Sequence, residues 1–226
     1  MGTEMLTVSE AKIMILQRTV ELAPVKMALS QAAGMVLAED IYAAINIPAY
    51  AQSSMDGYAF SFADLKANHP LTIEGVMAAG SNETMTLTSG NAVRIFTGAP
   101  VPDGADTVVM QEKTKVEGDS LYIEDGNMQQ GLNVRLKGSE IKSGDLAVAK
   151  DSLLMPAAIG FLAGIGVTEV LVYPYPVISI IVTGNELQSP GQPLQPGQIY
   201  ESNSFLLRAA LRQLHITEVK VYKAED

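Results

Sequence analysis

Between Ile47 and Gly138 the chain breaks into short β-like runs, DGYAFSF, LTIEGVMA, NAVRIFTG, DTVVMQEKTKVEG, SLYIED and NVRLKG, each bounded by turn-forming residues. Runs this short and this regularly spaced leave no room for a long helix. They predict a small antiparallel barrel or sandwich.

The texture changes on either side of this block. Thr7 and Glu10 have the spacing of a capping box, and the apolar positions through Leu16 predict a helix of two to three turns that Pro24 ends. ALSQAAG predicts a second short helical piece closing at Gly34, and VLAEDIYAA then reads as extended chain. Alternation resumes in GDLAVAKDSLL, and Pro156 opens MPAAIGFLAGIG, a helix apolar nearly all round and therefore expected to be well buried. Pairing it with the N-terminal helices makes residues 1–46 and 141–175 a discontinuous helical domain, with residues 47–140 inserted as a β-rich domain.

From residue 176 the pattern is that of an α/β protein. PVISIIV is a Val/Ile run suited to a parallel strand covered on both faces, SNSFLLRAALRQL has helical spacing, and EVKVYKAED reads as another strand. Two strands and one helix do not complete a parallel sheet. Residues 176–226 are thus expected to be the first β-α-β unit of an incomplete α/β domain, truncated at Asp226 or completed by another chain. The fold class is α+β multidomain.

Composition narrows the chemistry. A net charge of -10 disfavours nucleic-acid and anionic-membrane partners, which reward a basic face. With no cysteine and only His69 and His215 as histidines, thiolate chemistry, histidine triads and zinc sites drop out. What remains is carboxylate, hydroxyl, Lys, Arg and backbone N–H, a set suited to magnesium and to oxyanions. MGTEMLTVSEAK has no signal-peptide pattern, no apolar run is long enough to span a bilayer, and the absence of cysteine fits a reducing cytoplasm.

Four stretches carry the candidate site: SSMDGYA, RIFTGAPVPDGADTVVMQE, NVRLKGSEIKSGD and TGNELQSPGQPLQPGQIYESN. Taken singly, each reads as turn chemistry. Asp56-Gly57 is a hairpin signal in which glycine supplies positive φ, and Thr97-Gly98, Asp103-Gly104 and the proline-rich connector are stiff turns. Glu186 falls just beyond the strand PVISIIV, where ligands collect in open α/β sheets.

In this order, the four stretches resemble the MoeA family of molybdopterin molybdenumtransferases, related to the gephyrin E domain, from about residue 8 onward. The resemblance implies insertion of molybdenum from molybdate into adenylylated molybdopterin, with magnesium, hydrolysis of the adenylate and release of AMP. It implies catalytic roles for Asp56, Thr97, Glu140 and Glu186, with Asp56, Glu140 and Glu186 as metal ligands. Arg135 and Lys137 offer local positive charge for phosphate or molybdate, with a plain surface role as the alternative, and Asn185 of the TGNEL motif is the further substrate-binding position. Glu140 stands where relatives commonly carry aspartate, and Asn185 where TGDEL has an acid. The family also implies a homodimer with the active site at its interface, and other cofactor-biosynthesis proteins as partners. The sequence expectation is that the 226-residue chain does not catalyse alone. The rival readings are a noncatalytic dimerisation or scaffold module and a magnesium-dependent phosphohydrolase unrelated to molybdenum.

Overall fold

The structure is a computed structural model, and it describes residues 6–65, 69–81 and 85–224. Asp226, where the expected last strand stops, lies outside the described residues. The chain is α+β and mostly strand, with three α-helices among the described residues: α1 (Val8–Arg18), α2 (Pro156–Gly164) and α3 (Asn203–Gln213). It divides into two compact units, one of residues 41–147 and the other of residues 1–40 with 148–226.

The unit of residues 41–147 is built on a six-stranded sheet. Its strands run in the order Thr107–Met110, Gly57–Phe60, Asn91–Ile95, Leu71–Met77, Ser120–Ile123, Thr114–Glu117. The expected antiparallel pairing is corrected at one place, because Leu71–Met77 and Asn91–Ile95 run parallel, with a register shift between Ile73 and Gly75. Parallel neighbours need a crossover, and residues 78–90 are long enough to supply it.

The period-two alternation of the strands produces two apolar clusters. Ala59, Val93, Ile95 and Val108 belong to one, and Phe60, Ala92, Val109 and Leu121 to the other. Adjacent residues of a strand point to opposite faces, so the central strands bury both sides and read as near-continuous apolar runs. Two of the four candidate stretches, SSMDGYA and RIFTGAPVPDGADTVVMQE, feed strands into this sheet, while Val134–Arg135 of NVRLKG pairs with Gln52–Ser53 in a separate two-stranded sheet.

In the other unit, Glu169–Tyr173 lies between Val25–Ala28 and Val36–Leu37, antiparallel to both. Sheet pairing joins the residues before 41 to those after 147, and α2 also contacts the N-terminal turn Leu29–Gln31. The capping box forms as expected: Glu10 N–H donates to Thr7 Oγ1 and Thr7 N–H to the Glu10 carboxylate. The helix stops at Arg18, ahead of Pro24, where the Thr19 N–H and hydroxyl both donate to Ile15 C=O. ALSQAAG makes only the 3-10 turn Leu29–Gln31, and Gly34 adopts the expected left-handed conformation at φ +80.

The expectation that α2 is well buried is corrected. Of its residues only Leu162 is buried, and Phe161 is 38% exposed. An all-round apolar helix has one face on its own core, and no described element of its unit covers the rest. The β-α-β reading holds, since Ile178–Thr183 and Val219–Ala224 pair in parallel around α3. Burial on both strand faces does not hold: Ile180 is buried, whereas Ile181 is 66% exposed, as one crossover helix covers one face. No helix among the described residues is long and apolar enough to cross a membrane.

Candidate functional site

The acid turn grows out of Ser53, which is only 1% exposed. Its hydroxyl donates to Met55 C=O at 2.6 Å and accepts from Met55 N–H at 3.2 Å, closing a short turn that presents Asp56 to solvent. Its backbone is tied to the TG turn in both directions, Ser53 N–H to Ala99 C=O at 3.0 Å and Gly98 N–H to Ser53 C=O at 2.8 Å. Ser53 also pairs with Val134 and Gln52 with Arg135, in antiparallel register. SSMDGYA, RIFTGAP and NVRLKG are therefore laced together around one buried serine.

The hairpin reading of Asp56-Gly57 is overturned. The strands on either side, Gln52–Ser53 and Gly57–Phe60, lie in different sheets, and Gly57 does not adopt positive φ. Glycine is required there by proximity, since a Cβ at position 57 would lie 1.8 Å from Val109 C=O. The chain passes from one sheet to the next at this point with no space for a side chain.

Asp56 and Thr97 are joined directly. Asp56 Oδ1 accepts from Thr97 N–H at 2.8 Å and from Thr97 Oγ1 at 2.7 Å, which leaves Oδ2 outside this clamp. The Thr97 backbone bond and then its hydroxyl bond hold the Asp56 carboxyl below the usual carboxylate range, against a smaller opposing effect of burial, and the positive charge of Arg94 adds the least. A lowered folded value means that folding favours the ionised form; that contribution is present above the unfolded carboxylate value and is lost as pH falls through the folded one. Thr97→Val deletes the hydroxyl donor and keeps the stronger backbone bond. It is expected to move the Asp56 titration, followed by carboxyl carbon NMR, only part of the way up to the usual range.

Arg135 and Glu140 prove to be each other's partner in an exposed ion pair. Such pairs contribute little to stability. Their segment is fixed by Gly138 N–H to Pro48 C=O at 2.9 Å and Glu140 N–H to Ile47 C=O at 2.9 Å. Lys137, between them, is exposed.

Asn185 and Glu186 belong to the other unit, in the exposed turn after Ile178–Thr183. Gly184 has φ +136, and the Glu186 carboxylate folds back over it: a Cβ there would lie 2.8 Å from each carboxylate oxygen. Nearby, at the carboxyl ends of the two parallel strands, a cavity of about 300 Å³ is lined by Val182, Leu187, Ser189, Glu201, Arg208 and Lys223. Glu201 caps α3 through the Ser204 N–H at 2.7 Å and the Ser204 hydroxyl at 2.5 Å.

Among the described residues no group of three or more His, Cys, Asp or Glu is placed to hold a metal ion. Magnesium binds through one or two carboxylates and completes its shell with water and substrate phosphate. An exposed, ionised Asp56 with one oxygen outside the Thr97 clamp is compatible with that mode. The sequence reading missed Arg94, Gln111 and Ser53, all inside or beside the quoted stretches.

Residues 6–166 match the MoeA N-terminal region (domain I and II). The chain belongs to the MoeA N-terminal family. It is 37% identical over 187 residues to the molybdopterin molybdenumtransferase of Haemophilus influenzae, covering 83% of this chain and 46% of that protein. It is 38% identical over 208 residues to molybdopterin molybdenumtransferase 2 of Mycobacterium tuberculosis, covering 90% and 51%. The crystal structure of the molybdopterin biosynthesis MoeA protein from Pyrococcus horikoshii OT3 superposes with a TM-score of 0.86 at 31% identity, covering 99% of this chain and 61% of that one. The chain thus spans about half the length of the curated MoeA relatives it matches.

Proposed function

We propose that this chain supplies the MoeA N-terminal region of a molybdopterin molybdenumtransferase, which inserts molybdenum from molybdate into adenylylated molybdopterin and releases AMP. The observation that carries the reading is the Asp56–Thr97 clamp, an exposed carboxylate kept ionised by two donors on one oxygen. In this reading water attacks the adenylate phosphorus, the phosphoanhydride bond breaks, and AMP departs. Asp56 orients and polarises water with its second oxygen, while Thr97 keeps the carboxylate from rotating. Arg135 and Lys137 present positive charge to phosphate or molybdate, with Glu140 aiming the guanidinium. Asn185 offers an uncharged amide to the substrate. Asp56 would hold magnesium through the oxygen outside the Thr97 clamp, and the ion would supply charge neutralisation at phosphate; Glu140, engaged by Arg135, and Glu186, in the other unit, are not brought to it.

The domain layout follows the same reading: residues 1–46 with 141–175, an inserted domain of residues 47–140, and residues 176–226 as the start of an α/β domain. The protein works in the cytoplasm as a homodimer, supported by the apolar surface of α1 and α2; Ile15, Leu16 and Phe161 are all exposed. A monomer by light scattering at micromolar concentration would refute the dimer. The uncharged Asn185 favours the scaffold reading, in which the same surface docks partners without chemistry.

A chimera that continues this chain with the remaining length of the Haemophilus influenzae relative separates the two. It is expected to restore molybdenum-enzyme activity to a bacterial strain lacking its own molybdenumtransferase, whereas the 226-residue chain alone is not. Failure of the chimera, with the complete relative succeeding, would favour the scaffold.

A further inference from the structure

We infer that Arg94 is a positioning residue for Asp56: it locks the acid turn to the strand that leads into Thr97, so that the carboxylate and its two donors stay in register. The inference rests on the functional reading of Asp56 given above. Arg94 lies on the strand Asn91–Ile95, directly opposite Tyr58 in the antiparallel register. Its guanidinium carbon sits 5.2 Å from the Tyr58 ring centre and 4.8 Å from that of Phe96. The two aromatic residues thus flank both sides of the motif, one just after Asp56-Gly57 and one just before Thr97.

The hydrogen bonds run the same way. Arg94 Nη1 donates to Gly57 C=O at 2.8 Å, and Nη2 donates to the Gln111 side-chain carbonyl. Gln111 N–H in turn donates to Asp56 C=O at 3.1 Å. Both carbonyls of the Asp-Gly pair are therefore held, one by Arg94 itself and one by the residue that Arg94 grips. The side chain is half-buried and its bond to Gly57 C=O is partly shielded from competing water, whereas its bond to Gln111 is exposed. A planar fork stacked between rings donates in two fixed directions at once; a lysine ammonium is a single point charge on a flexible stem and cannot replace it.

The contrasting role is a plain sheet residue that satisfies nearby carbonyls without consequence for Asp56. Arg94→Lys, Arg94→Gln and Gln111→Leu distinguish the two. The 226-residue chain is used for NMR of the Thr97 amide, and the chimera for molybdate-dependent AMP release. Positioning requires that both Arg94 variants, folded, shift the Thr97 amide resonance, which reports the Thr97 N–H bond to Asp56. It further requires kcat to fall about tenfold or more with KM within roughly threefold, since small misplacement of a reacting group costs rate rather than binding. Lysine does not rescue, and Gln111→Leu gives a smaller loss of the same kind.

An unchanged Thr97 amide resonance in a folded Arg94→Gln would overturn the inference. So would full kcat in Arg94→Lys, including the case in which Arg94→Gln fails to fold. Should Asp56→Asn itself leave AMP release intact, the functional reading fails, while the Thr97 amide resonance in the Arg94 variants still decides the positioning.

Discussion

Asp56→Asn in the chimera is expected to lower molybdate-dependent AMP release by about 10²–10³-fold, the usual cost of removing one preorganised electrostatic group from a reacting centre. Asparagine has the same shape, and its carbonyl oxygen still accepts from the Thr97 N–H and hydroxyl, the two bonds that now fall on Oδ1. The Ser53–Met55 turn and the Gly57 C=O bond to Arg94 do not involve the carboxylate and persist. Only the negative charge and the basic second oxygen disappear. Thermal stability should therefore stay close to wild type while activity collapses, a separation that unfolding of the turn would not produce. An activity loss below about threefold would remove Asp56 from the mechanism.

The largest effect on folding is expected from Gly57→Ala. Its methyl group would sit 1.8 Å from Val109 C=O, a backbone atom of the adjoining strand Thr107–Met110 that no side-chain rotation relieves. Val109 is itself fully buried in the cluster with Phe60 and Leu121, so the strand has nowhere to retreat without opening that cluster. Overpacking of this kind costs about 3 kcal/mol, which lowers Tm by roughly 6–12 °C in a chain of this size. Gly126→Ala is the matched control, with no heavy atom within 4 Å of its added Cβ and no left-handed φ, and is expected to stay within about 0.5 kcal/mol of wild type. Equal unfolding temperatures for the two variants would contradict the close approach at Gly57.

What was legible in the sequence follows from which physical signals are local. The capping box at Thr7 and Glu10 and the left-handed Gly34 are decided within a few residues, and the parallel β-α-β pair is signalled by the helical spacing between its two strands; all were readable. The parallel pairing of Leu71–Met77 with Asn91–Ile95 was not, because no helical spacing between the two runs signals a crossover and polarity is set by pairing that side-chain alternation does not encode. Gly57 carried the right residue for the wrong reason: Asp-Gly looks the same whether glycine answers a positive φ or a neighbouring carbonyl. The apolar run of α2 predicted burial, yet its own unit leaves Phe161 exposed; hydropathy reports that a surface tends to be covered, not by what.

The candidate site divides similarly. Asp56, Thr97, Glu140 and Glu186 were named because short ordered motifs contain them, and the Asp56–Thr97 bond across 41 positions gives one such pair a physical meaning. Arg94, Gln111 and Ser53 act through backbone carbonyls and amides, which no residue pattern advertises. Ser53 in particular looks like any turn serine until its burial and its bonds to Met55, Gly98 and Ala99 are seen together.

The most direct measurement is AMP release from adenylylated molybdopterin, with and without molybdate, by the chimera, by the 226-residue chain and by the complete Haemophilus influenzae relative in parallel. The account predicts molybdate-dependent release by the chimera and the relative, and none by the 226-residue chain alone. Release by the relative with none from a folded chimera would contradict it.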